Sequence, residues 1–151
     1  MSTRNREAGH KYERDVVKAL VAIGFPHVVT SRSESRSRDN VKIDLCNREE
    51  YKNGRLRCNI QCKSLTDHPT DTKKVEKVKY RELLKEIEVM EGIMNVVLHR
   101  HTVRRGSRFL NAGEYAFMYQ ADFLTLLEES EKYRKLRQAI LDSNSPLKSL
   151  L

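Results

Sequence analysis

Asp44, Gln61 and Lys63 lie on two short segments, VKIDLC and NIQCKS, in which polar and apolar residues alternate. Alternation of this kind marks strands with one buried face. Asn53-Gly54, between them, is the dipeptide that best tolerates the two positive φ angles of a type I′ hairpin turn. A two-residue turn there sets Asp44 opposite Lys63 and Cys46 opposite Gln61. Asp44, Gln61 and Lys63 then share one face, and Ile43, Leu45, Ile60 and Cys62 the other. A carboxylate, an amide oxygen and an ammonium group held together suit the hydrolysis of a phosphate diester. That reaction needs a cation against the charge building on phosphate, a positioned water and a means of deprotonating it. Mg²⁺ prefers oxygen ligands and uses one or two carboxylates. Asp44, the amide oxygen of Gln61 and the backbone carbonyl of Cys62 can supply three, with Lys63 orienting or activating the water. The plain alternative is a cross-strand salt bridge between Asp44 and Lys63, worth about 1 kcal/mol or less when exposed.

These residues need elements to position them. Arg6–Ile23 reads as a helix, with Tyr12, Val16, Ala19, Leu20 and Ile23 at helical spacing and Gly24 as its stop. Glu13 falls beside that apolar stripe rather than opposite it. A strand is expected at His27–Ser31, then a polar loop, SRSESRSRDN, over Ser31–Asn40. Val41–Glu50 and Leu56–Ser64 are the two strands of the hairpin, and Leu65–Thr72 a loop. A helix over Thr72–Glu91 turns Val75, Leu83, Leu84, Ile87 and Met90 inward and ends at Gly92. Strands follow at Asn95–Val103 and Tyr115–Gln120, flanking the basic loop Arg104–Arg108. A final helical region begins near Ala121 and continues or restarts at Ser130, before Pro146. The layout is mixed α/β in a single domain, its core over about 6–128 with a helical extension over about 130–151.

The net charge of +8 is uneven: residues 1–64 carry 14 Lys/Arg against 8 Asp/Glu, residues 65–151 15 against 13. A basic excess of this kind is the footprint of a nucleic-acid partner. Arg32, Arg36 and Arg38, with Ser31, Ser33, Ser35 and Ser37, suit phosphate contacts at the rim of the site, and Arg104, Arg105 and Arg108 suit contacts further out. Lys73, Lys74, Lys77, Lys79 and Arg81 open a helix where cations oppose the dipole, which a phosphate contact would rationalise. Three cysteines, Cys46, Cys58 and Cys62, form no closed disulfide set and lack zinc spacing, so they read as small buried side chains. His99 and His101 share a strand face but have no third ligand nearby in sequence. No apolar run reaches the roughly 18 residues of a membrane span, and Met1–Lys11 lacks the apolar stretch of a signal peptide. The expectation is an intracellular, soluble, cytoplasmic protein.

The order GHKYERDVVKALVAIGF with Glu13, VKIDL with Asp44 and IQCKS with Gln61 and Lys63 resembles the PD-(D/E)XK nuclease superfamily, in its Holliday-junction-resolvase-like and phage branches. The resemblance covers roughly residues 6–100. It implies a restriction-endonuclease-like αβββαβ core, a central mixed sheet flanked by helices, and DNA cleavage dependent on Mg²⁺ or Mn²⁺. It makes Asp44 and Gln61 metal ligands, Lys63 the catalytic lysine and Glu13 a further ligand, direct or through water. A phage-encoded enzyme fits that branch. Ile43-Asp44 stands where the family has Pro-Asp, and Gln61 where it has a second acid. The amide removes a charge that Glu13, Glu34 or Asp39 would have to replace. The leading expectation is therefore a DNA endonuclease, with branched DNA as candidate substrate and a homodimer as candidate assembly. Gln61 keeps open a catalytically inactive nucleic-acid-binding module on the same fold, and a purely structural α/β protein is the third reading.

Overall fold

Residues 3–34, 40–48, 56–67 and 79–143 are described by the structure, a computed structural model. The helical stripe near the N-terminus forms α1 (Thr3–Ala22), whose Tyr12 and Val16 are buried. Gly24, at φ +101°, turns the chain out of it, and the N–H of Phe25 closes the helix end on the Leu20 carbonyl at 3.0 Å. Then follow β1 (Val28–Thr30), α2 (Ser31–Glu34), β2 (Leu45–Asn47), β3 (Cys58–Asp67), α3 (Tyr80–Glu86), β4 (Met94–Arg105), β5 (Arg108–Phe117) and α4 (Gln120–Asp142). The strands form one mixed sheet in the order β1-β2-β3-β4-β5, antiparallel throughout except for the parallel pair β3–β4.

Each face of the sheet carries its own core. Tyr12 and Val16 of α1 pack with Val28, Leu45, Leu56, Ile60 and Cys62 on one face. Leu84 of α3 and Ile87 pack with Ile43 and Val97 on the other. The fold is α/β, a five-stranded mixed sheet with helices on both faces. By internal packing the chain divides into two compact units, Met1–Met118 and Tyr119–Leu151. The first holds the sheet; the second holds α4, which runs through Ser130 unbroken. No helix among the described residues is long and apolar enough to cross a membrane.

Several expected boundaries move, each for a tertiary reason. β2 starts at Leu45 rather than Val41, because Lys42 takes φ +64° and the chain enters the strand from a turn. Ile43 consequently falls in the core under α3 rather than the one it was expected to share with Leu45. Leu45 pairs with Ile60, two residues from the expected Cys62. Side chains alternate with period two, so a two-residue slip leaves each β3 side chain on its expected face. The Asn53-Gly54 turn lies outside the described residues. Leu65–Asp67, read as loop, extends β3, because Leu65 and Thr66 find ladder partners in His101 and Thr102 of β4. β4 and β5 both outrun expectation and pair up to Arg105–Arg108, leaving only Gly106-Ser107 as the turn.

The helix expected over Thr72–Glu91 is described only from Tyr80 and ends at Glu86. Ile87 is already extended, at φ −73° and ψ 132°. Two buried asparagines account for this. The amide of Asn59 donates to the Glu88 carbonyl and to Asn95 Oδ1, both at 3.0 Å, and that of Asn95 donates to the Ile87 carbonyl at 3.3 Å. These bonds hold 87–88 extended against the sheet, a pull that helical periodicity does not register. Asn59→Ala leaves the Glu88 carbonyl and Asn95 Oδ1 without this donor. It is expected to lower stability by about 1–3 kcal/mol, read from the urea midpoint; an unchanged midpoint would show that the asparagines do not hold the segment.

Candidate functional site

The candidate site lies around Cys62, at the point where the chain enters β2 beside β3. Asp44 is tied by its backbone on both sides. Its N–H donates to the Ile60 carbonyl at 2.8 Å, and its carbonyl accepts the Ser31 N–H at 2.8 Å. Its carboxylate Oδ2 accepts the Cys62 N–H at 2.7 Å. A side chain thus stands where the next backbone rung would be. In an extended strand a residue's N–H and C=O point to the same edge, so the Cys62 carbonyl lies on the edge that carries Asp44.

Gln61 and Lys63 project from β3 toward the α3 face, in register with Val97 and His99 of β4. Gln61 is 2% exposed, and its Oε1 has no hydrogen-bond partner among the described residues. Glu13 arrives from α1 and is 5% exposed. Its Oε1 lies 3.5 Å from Nη2 of Arg32 on α2, and Nη1 of the same arginine contacts Nε2 of His10. A cation beside a buried carboxylate is what its desolvation requires.

The charges of Asp44, Glu13, Lys63 and Arg100 all act on the Cys62 thiol, Glu13 from the α1 face of the sheet and Lys63 from a residue that faces α3. Burial first, then Asp44 and Glu13, push that thiol well above the ordinary cysteine range. It stays protonated, so Cys62 is neither a nucleophile nor a thiolate ligand. None of Cys46, Cys58 and Cys62 is in a disulfide. Among the described residues no three His, Cys, Asp or Glu side chains converge as a metal-binding group. A metal here would depend on amide and carbonyl oxygens beside the carboxylates, a donor set for a hard cation such as Mg²⁺. The orphaned Gln61 oxygen, on the residue next to the Cys62 whose N–H the Asp44 carboxylate accepts, fits that demand.

Other expected contacts scatter. Ser31 is fully buried, with its Oγ unpartnered among the described residues, so it cannot touch a phosphate at the surface. Ser31–Glu34 is a helical turn and not a loop. Ser35, Arg36, Arg38 and Asp39 lie outside the described residues, as do Lys73, Lys74, Val75, Lys77 and Pro146. Arg104 is a residue of β4, and Arg105 is exposed where β4 ends, about 20 Å along the strand from His99.

Two clusters near the site were not foreseen as such. Tyr80 hydroxyl lies 2.6 Å from His99 Nδ1, and its ring stacks on Phe117 at 3.5 Å. The ingredients, a histidine at alternate spacing from Val97 and an aromatic in GEYAF, are visible in sequence, but their meeting needs the β4–β5 register. On the α1 face, Arg100 bonds Asp15 and Glu114, both at 2.8 Å, and lies 4.4 Å over the Tyr12 ring. It clamps α1, one residue from Glu13, onto the sheet. The Arg100 hydrogen bond holds the Asp15 carboxyl below its ordinary range. A depressed carboxylate contributes stability above the ordinary aspartate pKa of about 3.9 and loses it as pH falls through the folded value. Arg100→Met is therefore expected to lower stability at pH 7 by about 1–3 kcal/mol. The gap to the parent should narrow below about pH 4; urea unfolding at pH 7 and pH 3 tests it, and a gap independent of pH would reject the ion pair as its source.

The chain matches no family model, no curated protein and no solved structure.

Proposed function

We propose that this chain is a divalent-cation-dependent phosphodiester hydrolase that cleaves DNA, on a restriction-endonuclease-like core. The observation that carries the reading is Gln61 Oε1, a buried amide oxygen without a hydrogen-bond partner among the described residues, on the residue next to the Cys62 whose N–H the Asp44 carboxylate accepts. Leaving such an atom unsatisfied costs about 1–3 kcal/mol, which a ligand would offset. Asp44, Gln61 and the Cys62 carbonyl would hold Mg²⁺ or Mn²⁺, with Glu13 acting directly or through water. The cation would neutralise phosphate charge and lower the pKa of a bound water. Lys63, on the same face as Gln61, orients the attacking water and stabilises charge developing on the phosphate. Arg32, 45% exposed at its side chain and beside Glu13, would contact the DNA backbone. The basic net charge of +8 supports a polyanionic substrate.

Branched DNA, the four-way junction first, is the substrate that the motif resemblance favours, and a homodimer would match its two-fold symmetry. Gln61, in the place of an acid, favours a second reading: a DNA-binding module that no longer cleaves. A panel of linear, flap and four-way-junction DNA with Mg²⁺ and Mn²⁺ separates the two. Cleavage abolished by EDTA supports the hydrolase. Salt-sensitive binding with no cleavage under either cation replaces it with the binding module.

A further inference from the structure

Two rows of side chains cross β3, β4 and β5 on the α3 face: Gln61, Val97 and Phe117, then Lys63, His99 and Tyr115. Neighbouring strands lie about 4.8 Å apart, so Tyr115 sits about 10 Å from Lys63 across the sheet. The inner rings of this face are locked. His99 is 6% exposed and bonded to Tyr80, and Tyr80 stacks on Phe117 with 15° between planes. Tyr115 is different: it is 49% exposed, with its centroid 6.3 Å from that of His99 and 6.4 Å from that of Phe117.

Gly113 explains how that ring lies. A Cβ at this position would stand 2.7 Å from Tyr115 Oη and 2.9 Å from its Cζ. Its absence lets the tyrosine fold down along its own strand instead of standing away from the sheet. The result is a half-exposed ring laid over Gly113, edged by the tilted rings of His99 and Phe117, at the far end of the row from Lys63.

From this juxtaposition we infer that Tyr115 is a stacking platform for an unpaired nucleobase of a DNA strand whose phosphate lies at Lys63. Every base has a π-face, and stacking on an aromatic side chain tolerates any sequence. A base inside a duplex has both faces already covered, so the platform selects DNA with unpaired nucleotides beside the scissile phosphate. A flap, a single strand or an open junction centre provides one; a blunt duplex does not. The inference rests on the hydrolase reading, because Lys63 fixes where the strand runs.

The chain contains no tryptophan, so Tyr115→Trp puts a single indole reporter on the platform. Titrations in EDTA, without cleavage, are expected to quench it with a short oligothymidylate or a flap DNA and not with a blunt duplex. Tyr115→Ala is expected to weaken single-strand binding about tenfold by fluorescence anisotropy, leaving duplex binding unchanged, and Tyr115→Phe to retain it. Binding of the oligonucleotide without quenching, or equal weakening for both DNAs, overturns the platform. Quenching by single strands in a parent that cleaves nothing overturns the hydrolase reading and leaves the platform standing. No DNA binding at low salt overturns both.

Discussion

Alanine at Lys63 will lower DNA cleavage in Mg²⁺ by about 10²- to 10³-fold, the loss typical when one donor to developing charge is removed. Lys63 is half-buried, in register with His99, and is not part of either apolar core, so thermal unfolding should be nearly unchanged. If Lys63 acts on the transition state, single-turnover cleavage falls while DNA affinity in EDTA stays close to the parent's. Lys63→Arg keeps the charge but not the compact head group, and only part of the activity should return. A variant that cleaves at the parent's rate would remove Lys63 from the chemistry.

Gln61→Met is expected to stabilise the metal-free chain by about 1–3 kcal/mol while eliminating Mg²⁺-dependent cleavage. Methionine fills a similar space without a buried oxygen that lacks a partner. Gln61→Glu should do the reverse. A carboxylate at a position 2% exposed would destabilise the metal-free chain, since burying an unpaired charge is costly. In Mg²⁺ it should gain affinity and recover stability, because the cation supplies the partner. Urea unfolding of the three proteins with and without Mg²⁺ decides the matter. If both variants lose stability equally and Mg²⁺ changes neither, Gln61 is a structural amide and the proposed metal site fails.

How much of this was legible beforehand depends on whether local pattern or tertiary contact decides a residue's place. α1 and the inward turn of Tyr12 and Val16 follow from helical spacing, and the burial of Glu13 from its place beside that stripe. The faces of β3 also follow from alternation: Ile60 and Cys62 go to the α1 core and Gln61 to the other side, though the register with β2 is two residues off. Asp44 was expected as a strand residue opposite Lys63; the two-residue shift sets it level with Gln61 instead, just before β2, with its carboxylate accepting the Cys62 N–H. Positive φ at Lys42 moved Ile43 to the opposite core, and nothing in alternation announces a positive φ at lysine. The early end of α3 was out of reach for a related reason. It depends on Asn59 and Asn95, one of them more than twenty residues before the helix end it sets.

The parallel pairing of β3 with β4 has a consequence for how the protein is made. Glu13, Asp44, Gln61 and Lys63 all leave the ribosome before the crossover begins. The strand that holds Gln61 and Lys63 in line pairs through contacts such as Asn59 with Asn95, 36 residues apart. Non-local strand pairing requires loop closure before it is rewarded, and is slow to form. A nascent chain that has emerged only through Lys63 therefore carries all four proposed site residues, with β1 and β2 on one edge of β3 and nothing yet on the other. The proposed site would be complete on both edges of β3 only when β4 docks, so strands that contribute none of the four residues would set the moment at which it could act.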